Sequence, residues 1–274
     1  MSGTLYLVGT PIGNLADLSP RARETLAAVD LVACEDTRRT GRLLAHCGVS
    51  ARTLSFFEGN ERERTQELLD VLRTDRDVAL VSDAGMPGLS DPGYRLVRAC
   101  ADEGLEVRVV PGPSAAVAAL VASGLPTARF AFEGFLPRRA GDRRARLEAL
   151  AGDGRTLAFF ESPKRVVRTL GELREILGDR RVALARELTK LHEEVLRGNI
   201  SELLEELAAR GELKGEVVLV VEGASGREPL DEALLVKEAS ALVERGMKKR
   251  EAASEVARRY GASANALYRA LVAD

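Results

Sequence analysis

Short apolar segments alternate with helical segments along most of this chain, and this alternation constrains the fold more than any other feature. Helical patterns such as Glu61–Arg73, where Leu68, Leu69 and Leu72 recur at helical spacing, lie between the apolar segments. A first series contains four predicted strands: Leu5–Val8, Leu31–Cys34, Val78–Ser82 and Val107–Val110. Such alternation is typical of an α/β fold with a largely parallel sheet.

A second series of strands and helices begins after Gly124-Leu125-Pro126. Its predicted strands are Phe130–Phe135, Thr156–Phe160, Val182–Ala185 and Glu216–Val221, and its predicted helices are Arg143–Leu150, Arg165–Leu177 and Ser201–Ala209. Because a glycine and a proline separate the two series, we predict two α/β domains, at residues 1–124 and 125–223.

The last part of the chain has a different character. Residues 223–229 are rich in Gly, Ser and Pro and have the composition of a linker. Residues 230–274 contain three helical patterns, broken near Arg245-Gly246 and Tyr260-Gly261-Ala262. The last two patterns have the spacing of a helix-turn-helix, so we predict a small helical extension.

Composition excludes several classes of protein. The longest uninterrupted apolar run, Ala115–Ala122, has eight residues, whereas a membrane-spanning helix needs about 20. No basic leader precedes the first predicted strand, and the three cysteines form no CxxC pair, so we expect a cytoplasmic protein without a membrane partner. A net charge of −2 over 274 residues argues against a general polycation and leaves a local basic surface open.

Three loops follow predicted strands, at the ends where open α/β sheets bind ligands. They are Gly9–Leu15, Ser82–Gly93 and Pro111–Ala115. None has the GxGxxG spacing, and no Walker A sequence occurs, which disfavours hydride transfer and P-loop nucleotide hydrolysis. Each loop alone is compatible with a tight turn, a structural connection or a helix cap, but three in succession favour a shared pocket.

At this point the sequence resembles a known family. The blocks that carry the resemblance are Gly9-Thr10-Pro11-Ile12-Gly13-Asn14-Leu15, Glu35-Asp36-Thr37-Arg38, Asp83–Gly93, Pro111–Ala115, Gly134-Phe135-Leu136-Pro137, Glu161-Ser162-Pro163, Arg186-Glu187-Leu188-Thr189-Lys190 and Gly215-Glu216. In this order they are similar to the signature of the ribosomal RNA small subunit methyltransferase I family, in the tetrapyrrole methylase superfamily, and the helical tail resembles that family's helix-turn-helix extension.

The resemblance implies a two-domain tetrapyrrole-methylase fold with S-adenosylmethionine (SAM) in the interdomain cleft. It also implies methylation of the ribose 2′-hydroxyl of a cytidine in 16S rRNA of the small ribosomal subunit, by a homodimer. The residues that would line the cofactor site by similarity are Gly9, Thr10, Pro11, Ile12, Gly13, Asp83, Ala84, Gly85, Met86, Pro87, Ser114, Ala115, Phe160, Glu161, Glu216 and Val217.

The chain departs from the family pattern where relatives carry histidines, since Phe57, Gly59 and Lys164 occupy those positions. A hydroxyl acceptor still needs a group that takes its proton. The candidates are Glu35, Asp36, Glu187 and Lys190. Each carboxylate could instead pair with a neighbouring arginine, Arg38 or Arg186, and Lys190 could instead bind phosphate or orient the ribose.

Basic residues are unevenly distributed, as expected of an RNA-binding enzyme. Residues 137–146 hold five arginines and one aspartate, and residues 236–274 hold eight basic and five acidic side chains. We predict RNA contacts for Arg38, Arg138, Arg139, Arg143 and Arg144. A solvated helix start is the alternative for the arginine run, and the tail could contact either RNA or protein. Neither His46 nor His192 has a partner at ligand spacing, so no metal site is predicted.

Two other functions remain open on the sequence. A precorrin or uroporphyrinogen methyltransferase of the same fold would use the same cofactor loops. A ligand-sensing helix-turn-helix regulator would bind duplex DNA and transfer no methyl group.

Overall fold

A computed structural model describes residues 2–211, 213–224, 232–260 and 262–273. The first sheet has five strands in the order β3-β2-β4-β1-β5, and every neighbouring pair is parallel. Its strands are β1 (Thr4–Val8), β2 (Leu31–Cys34), β3 (Thr53–Ser55), β4 (Val78–Val81) and β5 (Glu106–Val110). β2 and β3 lie on one side of the neighbouring strands β4 and β1, and β5 lies on the other side. The loops after β1 and β4 therefore lie next to each other at the carboxyl edge of the sheet.

Four helices connect these strands, α1 (Pro20–Ala28), α2 (Thr37–His46), α3 (Glu61–Arg73) and α4 (Tyr94–Asp102), and a fifth, α5 (Ala115–Ser123), leads from β5 to the second sheet. Two of them begin at hydroxyl caps. The side chain of Ser19 accepts a hydrogen bond from Ala22 N at the start of α1, and that of Ser114 accepts one from Val117 N at the start of α5. A capping oxygen satisfies a free helix-terminal N–H group, which fixes where each helix begins.

The second sheet is mixed, with the order β6-β7-β10-β8-β9. Its strands are β6 (Phe130–Phe135), β7 (Thr156–Glu161), β8 (Arg181–Arg186), β9 (Glu194–Asn199) and β10 (Val217–Val221), and its helices are α6 (Ala140–Leu150), α7 (Val166–Leu177) and α8 (Ile200–Arg210). Only β6 and β7 are parallel; β10 is antiparallel to β7 and β8, and β8 is antiparallel to β9. The prediction of a largely parallel sheet is therefore right for the first sheet and wrong for the second.

The sequence prediction missed two strands, β3 and β9. β3 has only three residues, all partly buried. β9 carries charged residues at its first and fourth positions, Glu194 and Arg197, and no residue of this strand is fully buried. Edge strands show little apolar alternation, because they do not need two buried faces.

Both sheets belong to one compact unit, formed by the described residues up to 151 together with 155–223. The predicted boundary at residue 125 follows Gly124, which ends α5 with a left-handed backbone (φ 76°). Glycine adopts this conformation without the steric cost of a Cβ atom. The division into three domains at 1–124, 125–223 and 230–274 stays a prediction.

The helical tail forms a second unit, residues 224–274 with the short loop 152–154. Its helices are α9 (Glu232–Glu244), α10 (Lys249–Tyr260) and α11 (Ala264–Ala273), as the three sequence patterns predicted. Apolar residues such as Ala239, Val256 and Leu267 are buried where the three helices pack together. Residues 225–229 of the predicted linker lie outside the described residues. Within the described part of the chain, no helix is long and apolar enough to span a membrane.

Candidate active site

Three loops predicted to share a pocket meet at the carboxyl edge of the first sheet. Thr10 N donates to Gly85 O at 2.9 Å, and Gly85 N donates back to Thr10 O at 3.2 Å, so the first and second loops pair as a short β-bridge. The first loop also touches the third, because a Cβ atom on Gly9 would lie 2.6 Å from the Gly112 backbone. Only glycine permits this approach, which holds the loops together as a rigid cradle.

A cavity of about 430 Å³ opens between this cradle and the second sheet. Eleven of the sixteen residues predicted for the cofactor line it: Ile12, Asp83, Ala84, Gly85, Met86, Ser114, Ala115, Phe160, Glu161, Glu216 and Val217. Three others, Thr10, Pro11 and Gly13, line an adjoining cavity of about 410 Å³, and Gly9 and Pro87 line neither. The structure thus brings most of the predicted set together around one space.

The prediction omitted several residues that line the same cavity. They include Arg39, Leu89, Ser90, Asp91, Phe135, Ser162 and Pro163. Six of these seven lie inside sequence blocks that carried the family resemblance, and Arg39 directly follows such a block. The sequence therefore pointed to the segments but not to these individual side chains. Phe57, Gly59 and Lys164, the positions that differ from the family pattern, line neither cavity.

Two carboxyl groups in the cavity are less acidic than usual. Burial, followed by the negative charge of Asp83, raises the pKa of Glu35. Burial, followed by the charge of Glu35, raises the pKa of Asp91 to about 6. Desolvation and a neighbouring like charge both disfavour the ionised form. Within the cavity, Asp83 is balanced by Arg39, whose Nη1 lies 3.2 Å from Asp83 Oδ2.

Asp36, the neighbour of Glu35, has a structural role at the start of α2. Its Oδ1 accepts a hydrogen bond from Arg38 N at 2.8 Å, and its Oδ2 accepts one from Arg38 Nη2 at 2.9 Å. The hydrogen bonds from Arg38 lower the pKa of Asp36 to about 2. So acidic a carboxylate is a poor proton acceptor, because it holds a proton only weakly at neutral pH.

The loop between β8 and β9 holds the remaining two catalytic candidates as an ion pair. Lys190 Nζ lies 2.8 Å from Glu187 Oε1 and 3.0 Å from Glu216 Oε2. The hydrogen bond from Lys190 lowers the pKa of Glu187. Although burial opposes it, the bonds to the two carboxylates leave the pKa of Lys190 above its ordinary value. The ammonium therefore stays charged and cannot serve as a base at neutral pH.

The same loop is conformationally strained. Glu187 and Thr189 adopt left-handed backbone angles, with φ of 52° and 66°. Non-glycine residues rarely adopt this region unless surrounding contacts impose it. Here Thr189 Oγ1 accepts a hydrogen bond from Asn14 N at 3.1 Å, so the strained loop is tied to the first cradle loop.

The predicted basic surface divides into free and structural arginines. Arg143 is only 2% exposed and donates to Glu172 Oε1 at 2.6 Å and to the backbone oxygens of Pro137 and Arg138. It holds the start of α6 in place, and its buried guanidinium is not accessible to RNA. Arg144 is exposed but pairs with Glu148 and Glu175. Arg138 and Arg139 are exposed on the surface.

The two-sheet α/β fold, with its loops meeting at one cavity, is the architecture of a family of methylases. Residues 4–204 match the model of the Tetrapyrrole (Corrin/Porphyrin) Methylases. A solved structure, the uroporphyrin-III C-methyltransferase of Thermus thermophilus complexed with S-adenosyl homocysteine, shares this fold with a TM-score of 0.57 and 24% identity, covering 80% of this chain and 97% of that one.

Curated relatives narrow the class. A ribosomal RNA small subunit methyltransferase I of Mesorhizobium japonicum is 48% identical over 98% of this chain and 91% of its own length. One of Thermotoga maritima is 50% identical over 81% of this chain and 99% of its own length. The chain therefore belongs to the ribosomal RNA small subunit methyltransferase I family of the tetrapyrrole methylases.

Proposed function

We propose that this protein transfers the methyl group of SAM to the ribose 2′-hydroxyl of a cytidine in 16S rRNA of the small ribosomal subunit. The observation that most strongly supports this proposal is the 48% identity, over 98% of the chain, to a protein named ribosomal RNA small subunit methyltransferase I. The fold alone would equally suit a tetrapyrrole methyltransferase, so the substrate class rests on the full-length relatives.

The cavity between the cradle and the second sheet has the chemistry that SAM requires. Its volume of about 430 Å³ lies in the range of small-molecule sites. Ile12, Phe160 and Val217 offer apolar surface for an adenine ring, and the carboxylates of Glu35, Asp83 and Asp91 suit a cationic group. Gly85, which lines the cavity, has a φ of 86°, a backbone conformation that glycine adopts without steric cost. These residues would hold the cofactor, which supplies an electrophilic methyl group on a positively charged sulfur.

We propose Glu35 as the acceptor of the ribose proton. Among the four candidates, Asp36 and Glu187 are ion-paired with a lowered pKa, and Lys190 is held as an ammonium. Glu35 lines the cofactor cavity and has a raised pKa, so its carboxylate is the more basic acceptor. Alignment of the acceptor oxygen by the rigid cradle would supply a further part of the rate.

We propose that RNA contacts involve Arg38, Arg138 and Arg139, whose side chains are exposed. Arg38 is paired with Asp36 and Arg144 with Glu148 and Glu175, so each contacts RNA only if a phosphate replaces its carboxylate partners. Arg143 is omitted because it is buried. We also propose a cytoplasmic homodimer that acts on the assembled particle. Apolar side chains exposed on α5, Val117 and Val121, are compatible with a subunit interface.

One assay tests the function against its alternatives. Tritiated SAM is offered with 30S subunits, free 16S rRNA, a tetrapyrrole and duplex DNA in separate reactions. We expect labelling of 30S subunits at a cytidine ribose. Methylation of the tetrapyrrole alone would assign the protein to the other branch of its superfamily, and DNA binding without any methyl transfer would indicate a regulator. Labelling of free RNA, with 30S ignored, would contradict the proposed particle substrate.

A further inference from the structure

A second cavity lies directly beside the cofactor cavity. It has a volume of about 410 Å³. The two cavities share five lining residues: Ile12, Arg39, Asp83, Ala84 and Glu216. The two cavities therefore adjoin at these residues, which include the ion pair between Arg39 and Asp83.

The charges that line the two cavities differ in sign. The cofactor cavity is lined by five carboxylates and, among its described lining residues, one cation, Arg39. The second cavity is lined by three cations, Arg39, Arg42 and Lys190, and two carboxylates, Asp83 and Glu216. An anion is electrostatically favoured in the second cavity, whereas a cation is favoured in the first.

Arg42 is the cation most available to a ligand. Its side chain is exposed, and it forms no ion pair with any described residue, whereas Arg39 pairs with Asp83 and Lys190 pairs with two glutamates. Arg39 and Arg42 are three residues apart on α2, so their guanidinium groups project from neighbouring positions of one helix face. Two guanidiniums in this arrangement match a phosphodiester group, since each donates several N–H groups in a planar fork.

The rest of the second cavity suits a nucleoside. Pro11, Leu15 and Leu43 supply apolar surface against which a base can pack. The space admits one nucleotide rather than a helical duplex, since its volume is at the small end of ligand sites. RNA-binding enzymes that modify a single nucleotide commonly take that nucleotide out of its stack into such a pocket.

We propose that this second cavity binds the acceptor nucleotide, with Arg42 and Arg39 on its phosphates and its ribose where the second cavity adjoins the cofactor cavity. This inference rests on the proposed function and adds the place of the acceptor. It assigns Arg42, which the sequence prediction did not include, to substrate binding.

The test compares charge reversal at Arg42 with the same change elsewhere. Arg42→Glu is measured beside Arg98→Glu, an exposed arginine on α4 that lines neither cavity. Calorimetry gives the SAM affinity without RNA, and single-turnover methylation gives the 30S concentration at half-maximal rate. For Arg42→Glu we expect the half-maximal 30S concentration to rise about tenfold or more and the SAM affinity to stay unchanged. The slope of log 30S affinity against log salt concentration should fall by about one, the value for one lost phosphate contact.

Three outcomes overturn the inference. Unchanged methylation by Arg42→Glu would exclude Arg42 from the substrate site. An equal rise of the half-maximal 30S concentration in Arg98→Glu would show that the effect comes from the net charge of the protein and not from this site. A parallel loss of SAM affinity would assign the second cavity to the cofactor. If Arg42→Glu does not fold, Arg42→Gln replaces it with the same expected direction. Failure of the wild-type protein to methylate 30S subunits would instead refute the proposed function itself.

Discussion

Lys190 Nζ lies 2.8 Å from Glu187 Oε1, and this ion pair decides between two readings of the sequence block that contains both residues. A lysine that acts as a base needs a depressed pKa, whereas the pKa of Lys190 is raised by its carboxylate partners. The pair therefore supports a positioning role for the β8–β9 loop. We therefore expect a carboxyl group elsewhere in the cavity, for which we proposed Glu35, to accept the proton.

Gly13 is expected to be intolerant of a side chain. A Cβ atom there would lie 2.6 Å from Lys190 Cγ and 2.9 Å from Thr189 Oγ1, so Gly13→Ala should lower the free energy of unfolding by about 1–3 kcal/mol. Gly41→Ala is the matched control, because nothing lies within 4 Å of its Cβ position in α2, and it should stabilise by about 0.5–1 kcal/mol. Urea unfolding measures both. Equal stability of the two variants would show that the loop containing Gly13 accommodates a methyl group without loss of unfolding free energy.

Arg143 and Arg138 should separate stability from RNA binding. Arg143→Met removes the hydrogen-bonded partner of the Glu172 carboxylate and the donor to Arg138 O, while Pro137 O keeps its hydrogen bond from Arg165 Nη2. The substitution should cost about 2–3 kcal/mol of unfolding free energy. Arg138→Ala, at an exposed position, should change stability by less than about 0.5 kcal/mol and weaken 30S binding. Chemical denaturation and filter binding measure the two effects. A stable Arg143→Met variant with weak 30S binding would reverse the assignment.

Glu35→Gln should remove the proton acceptor and leave the fold intact. The single-turnover rate of methyl transfer should fall about 100-fold, in the range typical of a lost general base. Glu187→Gln, which affects an ion-paired carboxylate, should have a smaller effect on that rate. In the wild-type protein the rate should rise with pH as Glu35, whose pKa is raised, loses its proton. A Glu35→Gln rate equal to wild type would exclude this residue as the base.

Asp91 should make stability depend on pH. Its pKa is raised from 3.8 to about 6 in the folded protein, so between these pH values the folded state retains a proton that the unfolded chain has released. The contribution of this group to stability is therefore present below pH 3.8 and is lost as the pH rises towards 6. Asp91→Asn should be more stable than wild type at pH 7.5, by about 1 kcal/mol after allowance for solvent screening, and equal at pH 3.5. Thermal unfolding at both pH values measures the difference in stability between Asp91→Asn and wild type. A difference that is the same at both pH values would contradict its origin in the raised pKa of Asp91.

The helical tail should be dispensable for cofactor binding. The Thermotoga maritima relative matches 81% of this chain over 99% of its own length, so that relative has about the length of the two-sheet unit. Deletion of residues 228–274 should leave SAM affinity unchanged and weaken binding to 30S subunits, which calorimetry and filter binding measure. Unchanged 30S binding would remove the tail from the RNA interface.

Local sequence patterns predicted most of the elements and the cradle. The cap at Ser19 followed by Pro20 predicted the start of α1, and the helical spacing of Glu61–Arg73 predicted α3 with the bounds that the structure shows. Stiff, glycine-containing loops after β1, β4 and β5 predicted a common pocket. These signals depend on neighbours a few residues apart, so they are visible without a fold.

The roles of single side chains were less predictable. Arg143 and Arg138 belong to the same arginine run, yet one is buried and the other exposed, because Glu172 on α7 lies 29 positions away and pairs with only one of them. Asp91 was predicted only as part of a stiff loop. Its raised pKa comes from burial and from Glu35, which follows a different strand.

The sequence alone predicted the α/β architecture, the places of the three loops that meet at the cavity, and the three-helix tail, and its ordered motifs carried the resemblance to the methyltransferase family. These follow from periodicity, from glycine and proline positions, and from ordered motifs. Only the tertiary structure decided that the second sheet is mostly antiparallel, that Lys190 is held as a cation by Glu187 and Glu216, and that a second, basic cavity adjoins the first. The physical reason is that strand pairing, ion pairing, burial and the lining of a cavity depend on residues that are distant in the chain. Only the packed fold brings these residues into contact.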